Sequence, residues 1–294
     1  MVSSGFSLSV VVFLGFFGTQ LGFCGRHDNS PKNFITWEDM RVEDQWGSLR
    51  LQNGFNTSRV IIVSKDGRGD SNTVQGAVDL VSQHNSERVK ILILPGTYRS
   101  NTIVANGGRG MQAVALRIAG DKAMFYRVRF LGAQDTLLDL SGTHYFYQCY
   151  IQGTVDFIFG NARSLYQGCI IHSTAKRTGA IAAHHRDSEE ENTGFSFVNC
   201  TVNGTGRNYL GRAWGRYSRA IYSHCNFANI IKPSGWSDWG DESRRRTAVF
   251  GEYQCRGRGA YSKRRASWAK SFSNEEARPF LDKIFIDGNQ WLRL

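Results

Sequence analysis

The sequence predicts an all-β chain: a parallel β-helix, a solenoid of short strands, closed at its N-terminal end by a short helical cap. Three observations predict it. The segments FYRVRFLG (125–132) and FYQCYIQG (146–153) match position by position at a shift of 21 residues, and weaker copies follow near Cys169, Cys200 and Cys225. A small apolar slot recurs at Val128, Cys149, Cys169, Cys200 and Cys225, at intervals of 21, 20, 31 and 25. Between these slots run short alternating strands bounded by Gly, Asn or Ser, with no amphipathic helix among them. Repeats of that length, each too small to bury its own apolar face, are stabilised by stacking on their neighbours. A leucine-rich repeat has a similar period, but its Leu ladder is missing.

Along the chain, the uncharged apolar run 6–23 reads as part of a secretory signal peptide over residues 1–24. Residues 25–58 read as a polar N-terminal leader, and the β-helix domain spans 59–294. The domain opens on a strand, RVIIVSKDG, then a helical pattern, NTVQGAVDLVSQH, capped by Asn72, then a second strand, KILILPG. This unit is the cap that a solenoid end needs. The repeats follow, and from Ser271 the segment SNEEARPFLDKIFI reads as a helix or loop lying along the outside.

The 294 residues carry a net charge of +11, which calls for an acidic partner. In an exported chain that partner is an anionic polysaccharide rather than nucleic acid. The clusters Arg244-Arg245-Arg246 and Lys263-Arg264-Arg265 have the simpler reading of solvated loops. Three sequons, at Asn56, Asn199 and Asn203, matter only for a secreted chain. No Cys/His spacing resembles a zinc site. Adjacent coils are about 4.8 Å apart, so Cys149 and Cys169 either form a disulfide or serve as small core residues.

The chemistry lies in GTVDFIFG (153–160), where one carboxylate, Asp156, interrupts a buried strand. Asp135 lies seven residues after Val128 and Asp156 seven after Cys149, so the two stack on consecutive coils. Two such carboxylates titrate as a coupled pair, one pKa rising, which separates an acid from a nucleophile or base. A structural pair neutralised by a nearby Arg is the alternative. His184 and His185, with no nucleophile elbow in the chain, read as outer-face residues. Tyr147, Tyr166 and Tyr222 recur at the repeat period and read as core or stacking residues.

The blocks QAVAL (112–116), GAQDTL (132–137), GTVDFIFGNA (153–162) and LGRAW (210–214) resemble the signature segments of plant pectin methylesterases, as do SGTHYFYQCYIQG and WSDWGDESRRRTAVFGEYQC. The resemblance runs from about Arg59 to the C-terminus and implies a right-handed parallel β-helix. It implies an esterase of the cell wall that needs no metal or organic cofactor, acting as a monomer on methyl-esterified pectin. It also implies a possible proteinaceous pectinesterase inhibitor as partner, with no nucleic acid or membrane. By the same resemblance Asp156 is the nucleophile and Asp135 the acid/base. Gln134 and Gln112 are oxyanion donors, Arg212 holds Asp156 ionised, and Trp214 is a flat face for a sugar ring. Without it, Gln112 and Gln134 could equally be inter-coil hydrogen-bond ladders and Trp214 surface packing. The chain departs from the pattern in one place. Only 13 residues separate Tyr98 from Gln112, where the family carries several dozen, and Ser100 stands where a Glu is usual. The rival readings are another β-helix enzyme acting on polygalacturonate and a catalytically inactive pectin-binding remnant.

Overall fold

A computed structural model of the full chain describes residues 10–14, 35–36, 60–81, 89–93, 112 and 114–294. The strands in chain order are β1 (Val10–Leu14), β2 (Ile35–Thr36), β3 (Val60–Val63), β4 (Val89–Ile93), β5 (Leu116–Ile118), β6 (Ala123–Tyr126) and β7 (Arg129–Leu131). They continue as β8 (Leu137–Asp139), β9 (Thr143–Tyr147), β10 (Tyr150–Gly153), β11 (Ile158–Gly160), β12 (Arg163–Gln167), β13 (Ile170–His184) and β14 (Gly194–Val198). The last are β15 (Thr201–Ala213), β16 (Arg219–Ser223), β17 (Asn226–Phe227), β18 (Trp236–Ser237), β19 (Val249–Tyr253), β20 (Lys270–Ser271) and β21 (Leu292–Arg293). Two short helices, α1 (Val74–Asp79) and α2 (Asn274–Ala277), accompany them.

The pairing is that of a parallel β-helix. One face stacks β6, β9, β12, β14, β16 and β19 in parallel register. A second stacks β7, β10, the start of β13, the start of β15 and β17. The third, which carries the site described below, stacks β5, β8, β11, the end of β13, the end of β15 and β18. Strands β13 and β15 run unbroken across the bend between the second and third faces.

The bend between the first and second faces explains the repeat. Arg127, Gln148, Gly168, Asn199, His224 and Gln254 all sit at φ between 48° and 63°. Each immediately precedes an inward Val or Cys. This left-handed turn tolerates polar side chains or Gly and disfavours branched ones. Three residues before each slot stands a ring: Phe125, Phe146, Tyr166, Phe197 and Tyr222 stack with centroids 4.3–4.8 Å apart. Tyr166 and Tyr222 are therefore core, as expected. Tyr147 is not in this column; Phe146 faces Tyr166, and Tyr147 stacks on Tyr126 at 5.7 Å.

Of the two readings of Cys149 and Cys169, a disulfide or small core residues, the second holds. All five described cysteines are free, and each thiol donates at 3.3 Å to a carbonyl of the preceding coil, Cys149 to Phe125 and Cys169 to Phe146 among them. In-register stacking holds neighbouring Cβ atoms about one coil apart, beyond the roughly 3.5–4.5 Å that a disulfide needs.

Burial also corrects His184, which is 1 % exposed rather than on the outer face. Burial lowers its pKa to about 3, and the neutral ring accepts at Nδ1 from the Arg219 amide, 3.2 Å away. The opposite case is His144. Both its ring nitrogens face oxygens at 2.5 Å, Oδ1 of Asp139 and the Gly120 carbonyl, so the ring carries two protons. Burial pulls its pKa down, but the Asp139 carboxylate and the two acceptors outweigh that and the net shift is upward.

At the N-terminal end, β3 and β4 pair in parallel, and α1 is capped by Thr73, whose Oγ1 accepts from the Gly76 amide at 2.9 Å. Thr73 thus takes the capping role expected of Asn72. Val74 and Ala77 enter the main core, and the Gln75 side chain accepts from the Arg117 amide on β5. Strand β1, part of the run read as a signal peptide, lies between the cap and the coils. It pairs antiparallel with β4 on one side and β6 on the other. Within the leader only β2 is described, and it pairs with β21. The short junction 99–111 lies outside the described residues. At the C-terminal end, a capping box at Ser273 and Glu276 starts α2. The tail then covers the outside of the first face with Phe285, Ile286, Trp291 and Leu292.

Candidate active site

Asp156 reaches the floor of the cleft because the chain bends hard between Gly153 and Phe157. A Cβ on Gly153 would lie 2.1 Å from that of Phe157, so only glycine fits there. The bend puts Asp156 at φ 47°, and one coil earlier Asp135 has φ 58°. Such backbone is tolerated by Asp more readily than by most residues. The two are in register: the Asp135 amide donates to Val155 at 3.1 Å, and Leu137 faces Ile158.

Arg212 comes from the end of β15, two coils beyond Asp156. Its column on the third face runs Phe159, Ala183, Arg212. Ala183 carries only a methyl, which leaves the guanidinium free to cross over it. Arg212 Nε donates to Asp156 Oδ1 at 2.8 Å and Nη2 to Oδ2, a two-pronged clasp. Arg212 Cζ lies 3.8 Å over the centre of the Trp239 ring, while the guanidinium edge holds Asp156. Asp156 itself is 5 % exposed; burial pushes its carboxyl up by more than the Arg212 hydrogen bonds and charge pull it down, so the net shift is upward.

Asp135 has no cation of its own. Burial, and then the Asp156 charge beside it, push its carboxyl up to about 6. Gln112 Nε2 donates to Asp135 Oδ2 at 2.6 Å, and Gln112 and Gln134 face each other across a parallel bridge. Asp135, Asp156, Gln112, Gln134, Arg212 and Trp214 thus line one open cleft of about 230 Å³. The disulfide candidates Cys149 and Cys169 stand in the core instead. Phe159, Ala183 and Trp239 also line the cleft and received no role from the sequence. Trp239 sits within a quoted block, but only the cation–π contact with Arg212 gives it a place. Trp214 is held from three sides: His185 packs on its ring edgewise at 4.4 Å, Phe159 lies 6.2 Å away, and Arg244 binds its carbonyl at 2.8 Å.

Two carboxyl groups, one clasped by an arginine and one bound by a glutamine amide, thus stand side by side in a cleft with two indoles. The pectinesterase family model matches residues 103–289. The chain is 49% identical to Pectinesterase QRT1 of Arabidopsis thaliana, over 91% of this chain and 92% of the relative. The chain belongs to the pectinesterase family. It is 37% identical to Putative pectinesterase 11 of Arabidopsis thaliana, covering 81% of this chain and 82% of that protein. Among solved structures, the pectin methylesterase from carrot superposes with a TM-score of 0.66 at 29% identity, over 82% of this chain and 96% of the other. The Aspergillus niger pectin methylesterase gives 0.56 at 32%, over 64% and 62%. These neighbours are right-handed parallel β-helices, and so is this pectinesterase. The alignment with the QRT1 protein runs over 350 residues, more than this chain possesses, so the relative has positions that have no counterpart here.

Proposed function

We propose that this chain removes methyl groups from methyl-esterified galacturonate units of pectin and releases methanol. The observation that carries the reading is the asymmetry of the carboxylates: Asp156 is clasped by Arg212, and Asp135, with no ion pair among the described residues, is bound by the Gln112 amide. Ionised Asp156 attacks the ester carbonyl. Gln112 and Gln134 donate to the oxyanion of the tetrahedral intermediate; each such donor elsewhere contributes roughly 3 kcal/mol. Gln112 Nε2 has two N–H groups, so one stays on Asp135 while the other serves the oxyanion. Protonated Asp135 gives its proton to the departing methoxy oxygen, which leaves as methanol. The galacturonyl group is then held on Asp156 as an anhydride. Asp135, now ionised, takes a proton from water, the hydroxide attacks the acyl carbon, and Asp156 is released. Trp214 and Trp239 flank the sugar. Arg212 keeps Asp156 charged and fixed through both steps.

The setting we infer is the plant cell wall, reached by export on residues 1–24; removal of that segment takes β1 with it and leaves the facing edges of β4 and β6 open in the exported chain. Of the two described acceptors, Asn199 is exposed, whereas Asn203 is half-buried and tied to His172 at 2.7 Å; Asn56 lies outside the described residues. Methanol release from highly methylated pectin, beside an Asp156→Asn variant, tests the reaction. A loss of about 10⁴-fold or more in the variant supports it. A folded wild-type chain that releases no methanol would instead be a pectin-binding remnant, the reading that the short junction before Gln112 favours.

A further inference from the structure

Cations on this surface fall into two groups. Arg244 and Arg245 are paired with Asp241, Asp238 and Glu242, and Arg265 with Glu252. Lys176, Arg177, Arg207 and Arg258 are exposed, and no carboxylate pairs with them among the described residues. Lys232 lies 4.2 Å over the Tyr209 ring instead of on an acid.

Exposed cations without an ion pair among the described residues include Arg216 and Arg246 as well; five basic residues, Lys176, Arg177, Arg207, Lys232 and Arg258, form a row. Lys176 and Arg177 occupy the bend of β13, between its two paired halves. Across the ladder Thr178 faces Arg207, and on the next coil Asn208 faces Ile231, the neighbour of Lys232. Arg265 then binds the carbonyls of Lys232 and Gly259, which places Arg258 on the following coil beside them. Segments 174–181, 203–209, 228–235 and 254–260 contain no Asp or Glu. The row starts next to the reacting centre, because Thr154 on the Asp156 bend accepts from the Ala180 amide at 3.2 Å.

We propose that this row is a second binding site, for de-esterified galacturonan, separate from the cleft. Successive coils stand about 4.8 Å apart, close to the length of one sugar unit in an extended chain. A run of freed carboxylates lying along the solenoid therefore meets one or two cations per coil. The methylated chain has no charge to offer them. The site holds product and not substrate, and it keeps the enzyme beside units it has already hydrolysed. The choice of galacturonan as the polyanion rests on the pectin reading above; the row itself does not.

The test is calorimetric binding of fully de-esterified polygalacturonate oligomers to the full chain, at low and high salt. The variants are the Lys176→Glu/Arg177→Glu/Arg207→Glu triple and its Gln counterpart, which covers a misfolded Glu triple. Expected is binding that weakens with salt and falls about tenfold in the triples, with methanol release from short, fully methylated oligomers unchanged. Equal binding by wild type and the Gln triple, or equal affinity for heparin, overturns the proposal. Absence of methanol release with the binding pattern intact overturns the esterase reading alone.

Discussion

The coils from β6 to β19 and the joint between the cap and those coils are assembled by different means. Within the coils the strands pair in parallel, with one register shift at the bend of β13, so the rings and thiols inside each column find their like above and below. At the joint, β1 enters antiparallel between β4 and β6, brought in from the far N-terminus. An antiparallel strand cannot be a turn of the solenoid. In the full chain it covers two strand edges that removal of residues 1–24 would uncover, and open edges are a hazard. The difference teaches that a regular coil is held by its like, whereas an end of the stack depends on a strand from outside the repeat. The reacting groups are divided the same way. Asp135, Asp156 and Arg212 belong to the regular coils, and Gln112 alone stands at the joint's end.

The largest expected effect breaks the regular region. Tyr166→Ala removes one ring from the stack and costs about 3 to 5 kcal/mol, read as a lowered denaturation midpoint. Removal of residues 1–24 is expected to cost less, since Val74, Ala77 and the Gln75–Arg117 bond still hold the cap. A truncated chain less stable than Tyr166→Ala would show the joint to be the weaker half.

Next is Gln112→Ala, expected to lower the rate of methanol release by about 10²–10³ through loss of an oxyanion donor. The truncated chain should fall no further than this variant, because Gln112 is the one reacting group at the joint. A greater fall would mean that the joint shapes the cleft more widely.

Smaller is the pH effect. Asp135 acts first as an acid, so kcat/KM should decline as pH rises through about 6. The Gln112 hydrogen bond favours the ionised carboxyl, so Gln112→Ala should move that limb upward. Stability has the matching sign. The native pKa of Asp135 lies above its unfolded value near 3.8, so stability is lost as pH climbs from 3.8 toward 6. Asp135→Asn should remove that loss in thermal melts.

Least is the thiol ladder. Cys169→Ser keeps a donor to the Phe146 carbonyl and should cost about 1 kcal/mol. A reducing agent should leave the melting temperature unchanged, because the five described cysteines form no disulfide.

Much of this molecule was legible in residue order. The interval between Val128, Cys149 and Cys169 marked the coils, and the equal offsets of Asp135 and Asp156 placed them on adjacent turns. Periodicity reports whatever is repeated, because stacking imposes the same demand on every coil. Residue order could not decide what depends on direction or on distant segments. It could not separate Phe146 from Tyr147 as the stacked ring, since both fit the pattern and only the turn at Gln148 aligns one with Tyr166. It could not orient the thiols, bury His184 or place Trp239 over Arg212. Nor could it place β1 between β4 and β6, a pairing between segments far apart in the chain. Such contacts are settled when the coils close, because the nearest neighbours of a side chain then come from strands 20 to 60 residues away, as with the 56 residues between Asp156 and Arg212.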